Sequence, residues 1–236
     1  MSETNNYKEV DPGKVLDTLD RLEHRIADRF PDAGLLGVCH QVKDICAQSR
    51  DRITWMRKPI WPLRAAVVAL LLLLVFAIAL TMQTVHVSDE AFELTTFADA
   101  VQNIIQDIVY VAVAVFFLVR IERMVKRRRI LTALHELRSV AHVIDMHQLT
   151  KDPDRILSNR VDTEASPTPT RQWTPFTLRR YLDYCSELLS LTGKIAAIHL
   201  KDFDDSTIVA AVNEIEDLTN GLSRKIWQKI TSLQSL

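Results

Sequence analysis

Sixteen consecutive apolar residues, AAVVALLLLLVFAIAL from Ala65 to Leu80, restrict the folds open to this chain more than any other feature of its sequence. With Leu63 before the run and Thr81–Met82 after it, the block approaches the roughly 20 residues that an α-helix needs to cross a bilayer. A core helix of a soluble domain would need a polar face toward water, and this run has none. The run therefore predicts a first transmembrane helix over residues 60–82.

A second apolar block, IIQDIVYVAVAVFFLVRI from Ile104 to Ile121, contains Gln106 and Asp107. Its uninterrupted part, Ile108–Val119, covers about 18 Å, which is shorter than a hydrocarbon core of about 30 Å. The Gln106–Asp107 turn is therefore expected at or inside the far membrane interface. Together the blocks predict an all-α integral membrane protein with a two-helix transmembrane hairpin, whose second helix spans residues 101–121, and with helical cytoplasmic segments.

Basic residues indicate the orientation of the hairpin. They precede the first block and follow the second: Lys43, Arg50, Arg52, Arg57, Lys58 and Arg64, then Arg120, Arg123, Lys126, Arg127, Arg128 and Arg129. The connecting segment Gln83–Asn103 has no Lys or Arg and carries four acidic residues. The positive-inside rule places both termini in the cytoplasm and residues 83–100 outside, as a short acidic loop.

The surroundings of the hairpin also predict its location and its lipid partners. About sixty residues precede the first block, which is not the form of a cleavable secretory signal. We expect a multi-pass protein of a cell membrane, in the simplest case a prokaryotic inner membrane. The basic run is expected to contact anionic lipid headgroups, on the order of 1 kcal/mol per charge, through Arg123, Lys126, Arg127, Arg128 and Arg129. No nucleic-acid partner is expected, because no aromatic residues interleave with these charges.

Hydrophobic periodicity divides the rest of the chain into helical segments. N-terminal cytoplasmic helices are predicted within residues 1–58, and the second span is predicted to continue as a cytoplasmic helix over residues 122–149. A Pro/Ser/Thr-rich linker follows over residues 150–174. Residues 175–236 are predicted to form a helical hairpin, with Thr174 and Ser206 as caps of its two helices.

The last of these helices carries apolar residues that approximate a heptad seam. They are Ile208, Val212, Ile215, Thr219, Leu222, Ile226 and Leu233. A seam of this length can pair with a neighbouring chain, so we expect a homo-oligomer. A cytoplasmic protein partner that binds the C-terminal helices is a further expectation.

Composition argues against several classes of function. The net charge of −1, from 29 basic and 30 acidic residues, gives no global field for an acidic partner. No glycine-rich phosphate loop occurs, and the three cysteines contain no C-x-x-C pair. We therefore expect buried, reduced thiols, no cofactor, and no nucleophilic catalytic constellation.

The stretch LHELRSVAHVIDMHQLTK, Leu134–Lys151, is the first candidate site because it is rich in histidine and acidic residues. His142 and Asp145 are three residues apart and can meet one metal ion, whereas His135 lies about 10 Å from His142 along the helix. The sequence HELRS also lacks the second histidine of the H-E-x-x-H zinc motif. We favour a polar helix face packed on a cytoplasmic bundle, with a zinc or proton-sensing site at His142 and Asp145 as the alternative.

A polar stripe in the second apolar block is the second candidate site. Its members recur at helical spacing: Asp99, Asn103, Gln106, Asp107 and Tyr110. Ionisable groups at membrane depth usually face a bundle interior or a water-filled cavity, so the stripe predicts an oligomer face or the mouth of a cation pore. The alternative is that the helix leaves the lipid near Gln106 and that Asp107 is simply solvated.

These observations leave three functional hypotheses. The first is a non-enzymatic, self-associating two-span membrane protein that scaffolds or regulates a membrane complex through its cytoplasmic helices. The second is a homo-oligomeric ion channel that uses the polar stripe around Asp107. The third is a membrane-anchored, metal-dependent enzyme or sensor centred on His135–His147.

Overall fold

In a computed structural model, residues 10–56, 61–86, 94–151, 153, 173–200 and 205–234 are described, and the side chains of residues 52–56, 81–86, 94–100 and 234 are not. The regular structure of this part of the chain is entirely helical. Six helices follow one another within the described residues: α1 (Pro12–Arg29), α2 (Gly34–Met56), α3 (Trp61–His86), α4 (Leu94–Leu149), α5 (Pro175–Ile198) and α6 (Ser206–Gln234). The all-α fold predicted from the sequence is therefore confirmed.

The chain divides into two compact units, which we describe separately. The first, called the bundle below, contains α1, most of α2, the part of α4 from Arg129 onward, α5 and α6. The second, called the hairpin unit, is residues 56–128 and contains α3 and the first part of α4. The predicted continuation of the second apolar block into one long helix is confirmed, because α4 runs without a break to Leu149.

Contacts between neighbouring helices close the bundle into a ring of five. Lys43 on α2 pairs with Glu23 on α1, and Gly34 at the start of α2 lies against His147 on α4. Helix α4 is joined to α6 by a hydrogen bond from Arg138 to Glu214, 3.1 Å long. Helix α6 packs along α5, and α5 packs on α1, which completes the ring.

Apolar side chains at helical spacing are buried in this bundle, as the periodicity predicts. On α1 they are Val15, Leu19, Leu22 and Ile26, and all four are buried. The seam of α6 is also buried: Ile208, Val212, Ile215, Thr219, Leu222, Ile226 and Leu233. Because the seam packs within its own chain, it is not an open surface for a neighbouring chain.

The N-terminal caps of the last two helices can be compared with their predicted positions. Thr174 caps α5, and its side chain and that of Thr177 form a capping box with the two backbone N–H groups. The prediction that Ser206 caps α6 is wrong. Asp205 has this role: its Oδ1 accepts hydrogen bonds from the backbone N–H groups of Thr207 at 2.9 Å and Ile208 at 3.4 Å. The helix begins one residue earlier than a Ser206 cap requires, at Ser206 itself.

The hairpin unit contains two helices that are long and apolar enough to cross a membrane, Trp61–Leu80 within α3 and the stretch of α4 that begins at Val101. The apolar windows of both helices have none of their residues buried by the rest of the chain. A core helix of a soluble domain would be mostly buried. The predicted external loop 83–100 contains helical residues at both ends, up to His86 and from Leu94, while residues 87–93 lie outside the described part. Most of the predicted linker, residues 154–172, lies outside it as well.

Candidate functional site

A cleft between α3 and α4 in the hairpin unit brings part of the polar stripe together with apolar side chains. The cleft has a volume of about 320 Å³. It is lined by Leu70, Leu73, Leu74 and Ala77 of α3 and by Asp107, Tyr110, Val111 and Ala114 of α4. Each helix contributes positions with the same spacing of three, one and three residues, which places them on one face. We call this cleft the Asp107 groove.

Only some members of the predicted polar stripe line the groove. Asp107 is half-buried in the groove, and Tyr110 is exposed at its edge. Gln106 is exposed and donates a hydrogen bond through Nε2 to the hydroxyl oxygen of Tyr110, 2.9 Å away. Asn103 is exposed and does not line the groove, and the side chain of Asp99 lies outside the described residues. Asp107 and Tyr110 are therefore the polar groups of this site.

The basic run lies on α4, with Arg123–Arg128 in the hairpin unit and Arg129 in the bundle. Arg123 and Arg128 are exposed. Lys126 is only half-buried and pairs with Glu122 one helical turn away, with Nζ 2.7 Å from Oε1. The carboxylate of Glu122 therefore partly neutralises the charge of Lys126 within the helix. The predicted contacts of Arg123, Lys126, Arg127, Arg128 and Arg129 with lipid headgroups stay a prediction.

The histidine-rich stretch lies on the bundle part of α4, and its members face in different directions. His135 and His142 are exposed, whereas Asp145 and His147 are half-buried. Asp145 accepts a hydrogen bond through Oδ1 from Nε2 of Gln148, 2.6 Å away. The residues therefore do not converge on one point.

The metal prediction at His142 and Asp145 has no third ligand within the described residues, where no group of three or more His, Cys, Asp or Glu side chains is placed to hold an ion. The other histidines of the bundle have partners elsewhere. His24 contacts the carbonyl oxygen of Asp20 through Nδ1, His40 pairs with Glu23, and His199 is buried with Nδ1 3.1 Å from the carbonyl oxygen of Ile195. A site at His142 and Asp145 stays a prediction that needs ligands from outside the described part of the chain.

His147 contacts the start of α2. A β-carbon added at Gly34 would lie 2.6 Å from its Cε1 atom, so only glycine allows this approach without movement of the ring. Burial lowers the pKa of His147, and the positive charge of Lys151 lowers it further. The neutral imidazole is therefore the form that suits this contact.

Sequence reasoning missed an aromatic cluster where α1, α5 and the end of α4 meet. Phe30 stacks on Trp173 with ring centroids 5.7 Å apart and meets Tyr181 edge-on at 5.4 Å. The ammonium group of Lys151 lies 4.8 Å from the ring centroid of Trp173, which is a cation–π distance. Lys151, the second residue after α4, thereby contacts Trp173, the residue before the cap of α5. The only sequence signal was the presence of aromatic residues at these helix ends.

Sequence reasoning also missed a charged network between α1 and α2. Lys43 Nζ lies 2.5 Å from Asp20 Oδ1 and 2.9 Å from Glu23 Oε2, and Glu23 also contacts Nε2 of His40 at 3.0 Å. The hydrogen bond from Lys43 lowers the pKa of Glu23 despite partial burial. The two carboxylates raise the pKa of Lys43. The network links the two helices through largely exposed side chains.

The three cysteines are free and buried in the bundle, as predicted. Burial raises the pKa of Cys39 to about 12, of Cys46 to about 11 and of Cys185 to about 12. Thiols with such pKa values are almost entirely protonated at neutral pH and are poor nucleophiles and metal ligands.

No protein-family model, curated protein or solved structure matches this chain.

Proposed function

We propose that this chain is a non-enzymatic integral membrane protein that crosses a cell membrane twice and holds its five-helix bundle on the cytoplasmic side, where the bundle scaffolds or regulates a membrane complex. The observation that carries the proposal is the contrast between the two units. Most of the large apolar side chains of the bundle are buried within it, whereas the apolar windows of α3 and α4 have no residue buried by the chain. Lipid or other membrane helices would supply the missing cover.

The charge distribution supports the orientation. Arg64 precedes the apolar part of α3, and Arg120 follows that of α4, so the basic ends of the two helices flank the same side of the proposed hairpin. Both termini would then be cytoplasmic. Anionic lipid headgroups would contact the run from Arg123 to Arg129.

An assembly role is supported by apolar surface that stays exposed on the bundle. Val143, Met146 and Leu149 recur at three-residue spacing on α4, and the last two side chains are 67% and 60% exposed. The described residues offer no metal-binding cluster, and their thiols are buried and protonated. The exposed apolar side chains on α4 therefore fit a role in binding another protein better than a catalytic role.

Self-association was expected from the seam of α6 and from the polar stripe. The seam of α6 is buried within its own chain, so it no longer supports self-association. The exposed apolar surface of the hairpin unit supports it instead. Native mass spectrometry from mild detergent tests this part of the proposal. A series of oligomers would support it, and a monomer at every concentration would contradict it.

Membrane crossing is tested on vesicles from cells that express the full chain. Alkaline carbonate should leave the protein in the pellet, and tags at its two ends should be reached from the same side. Extraction into the supernatant, or tags on opposite sides, would overturn the proposed architecture.

A homo-oligomeric cation channel is the second function, and the exposure of Asn103, Gln106 and Tyr110 on α4 favours it. Several copies could surround a pore with these side chains, and Asp107 would attract cations. Planar-bilayer recordings should then show a cation current that Asp107→Asn reduces. A current that is absent from both forms, or equal in both, would contradict the channel.

A further inference from the structure

The Asp107 groove combines a mainly apolar lining with a single carboxyl group. Leu70, Leu73 and Leu74 form one wall, and Val111 and Ala114 form the other. Side chains with this spacing form the contact surface of a helix in knobs-into-holes packing. The small side chains of Ala77 and Ala114 allow a further helix to approach closely.

The position of Asp107 along α4 places its carboxyl group inside the hydrocarbon if the hairpin unit crosses a membrane. Asp107 lies 13 residues before Arg120, and Ala77, which lines the same groove, lies 13 residues after Arg64. Thirteen helical residues correspond to about 20 Å. With arginines at one boundary of a hydrocarbon core of about 30 Å, the carboxyl group is about 10 Å from the other boundary.

The charge of Asp107 has no counterpart in the hairpin at that depth. It is the only Asp, Glu, Lys, Arg or His residue within residues 65–80 and 101–119. A carboxylate in this position is costly unless a cation pairs with it. A second copy of this chain would bring only another Asp107 from these stretches, and two carboxylates at one site disfavour each other's charge.

We infer that the Asp107 groove binds a transmembrane helix of a different protein, and that this helix carries a Lys or Arg residue at the depth of Asp107. The charge complementarity selects this occupant. The apolar walls receive the helix, and the carboxylate pairs with the basic group, whose long side chain can adjust to the depth of the acid. This inference names a partner for the assembly role and rests on the proposed function, because it requires the hairpin unit to lie in lipid.

The test uses the full chain in phosphatidylcholine vesicles and a synthetic transmembrane peptide of Leu and Ala with one Lys at the matching depth. Energy transfer between a label on the peptide and a label on the protein reports binding. The control peptide has Leu in place of that Lys. We expect the Lys peptide to bind about tenfold more tightly than the Leu peptide.

Two substitutions sharpen the result. Asp107→Asn should remove the preference for the Lys peptide. Ile105→Asn, which introduces the same amide at an exposed position outside the groove, should keep it. Protection of the buried cysteines from labelling shows whether the bundle of each variant still folds.

Equal binding of the two peptides, or a preference that survives in Asp107→Asn, would overturn the inference. Energy transfer between labelled copies of the chain that Asp107→Asn abolishes would also overturn it, in favour of a second copy as the occupant. Protein that resists carbonate extraction but does not distinguish the peptides would refute the basic partner alone. Protein that carbonate removes would refute the proposed function.

Discussion

Gly34 on α2 lies directly against the imidazole ring of His147 on α4. The contact joins two residues that are more than a hundred positions apart in the sequence. It is one of the contacts that close the ring of the bundle. It also makes two properties of the bundle testable, namely the space at Gly34 and the charge of His147.

The space at Gly34 predicts different outcomes for two glycine substitutions in α2. Gly34→Ala places its methyl group 2.6 Å from the His147 ring, whereas Gly37→Ala meets nothing within 4 Å. Both gain helix propensity, but only the first must displace a side chain. We expect Gly34→Ala to be less stable than Gly37→Ala by about 1–2 kcal/mol, measured by urea unfolding of the full chain in detergent. In a His147→Ala background the difference should vanish, and a difference that persists would contradict the contact.

The lowered pKa of His147 predicts a loss of bundle stability in mild acid. The folded bundle holds this imidazole neutral, so the unfolded chain binds a proton more readily, and stability is complete above the ordinary pKa of 6.5 and falls as the pH drops below it. Urea unfolding at pH 7.5 and pH 5.5 measures the loss. His147→Gln should lessen it, whereas His135→Gln, at an exposed position, should not. Equal losses in both variants would contradict the assignment. Glu23 does not interfere, because its lowered pKa costs stability only below its ordinary value of 4.5.

The fold was largely predictable because helix periodicity and apolar block length are local properties of the sequence. The periodicity predicted helices in the N-terminal segment and the apolar seam of α6, whose residues are buried. It did not predict that the seam packs within its own chain, because a heptad pattern is the same for an internal and an external partner. The cap of α6 was misplaced by one residue because Asp205 and Ser206 are both good caps.

The sites were less predictable, because proximity between helices is a tertiary property. The acid and histidine residues of Leu134–Lys151 are close in sequence, yet one helix turns them toward different neighbours. Conversely, Phe30 and Trp173 are distant in sequence and stack on each other. Asp107 was a candidate because it is an acidic residue within an apolar block, but its place in a groove depends on which face of α3 packs on α4.

The aromatic cluster predicts a large effect of one core substitution. Phe30 is 2% exposed and contacts the rings of Trp173, Tyr181 and Tyr184. We expect Phe30→Ala to destabilise the bundle by about 3–5 kcal/mol, since it leaves a cavity and removes three ring contacts. Phe176→Ala removes a ring of the same type that is 61% exposed and should cost about 0.5 kcal/mol or less. Similar urea midpoints for the two variants would contradict the role of the cluster.

The raised pKa values of the cysteines predict slow reaction with thiol reagents. Cys39, Cys46 and Cys185 are buried, and their pKa values are about 12, 11 and 12. At pH 8 we expect a disulfide-exchange reagent to label them only when the bundle opens, so the labelling rate should rise steeply across the urea transition. Full labelling of three thiols in urea provides the reference. Rapid labelling of any of them in the native protein would show that its site is open.

The cap of α6 predicts opposite outcomes for adjacent residues. Asp205 accepts two backbone hydrogen bonds through Oδ1 and places its negative charge at the positive end of the helix dipole. Asp205→Ala should therefore destabilise the bundle by about 1 kcal/mol. Ser206 is exposed in the first turn, and Ser206→Ala should change stability by about 0.5 kcal/mol or less.

Asp205→Asn separates the contribution of the hydrogen bonds from that of the charge, because it keeps a good cap acceptor and loses only the charge. Urea unfolding in 0.5 M salt should leave the effect of Asp205→Ala mostly intact and bring Asp205→Asn close to the unsubstituted chain, since salt screens the charge but not the hydrogen bonds. If Ser206→Ala proved the more damaging change, Ser206 rather than Asp205 would be the N-terminal cap of α6.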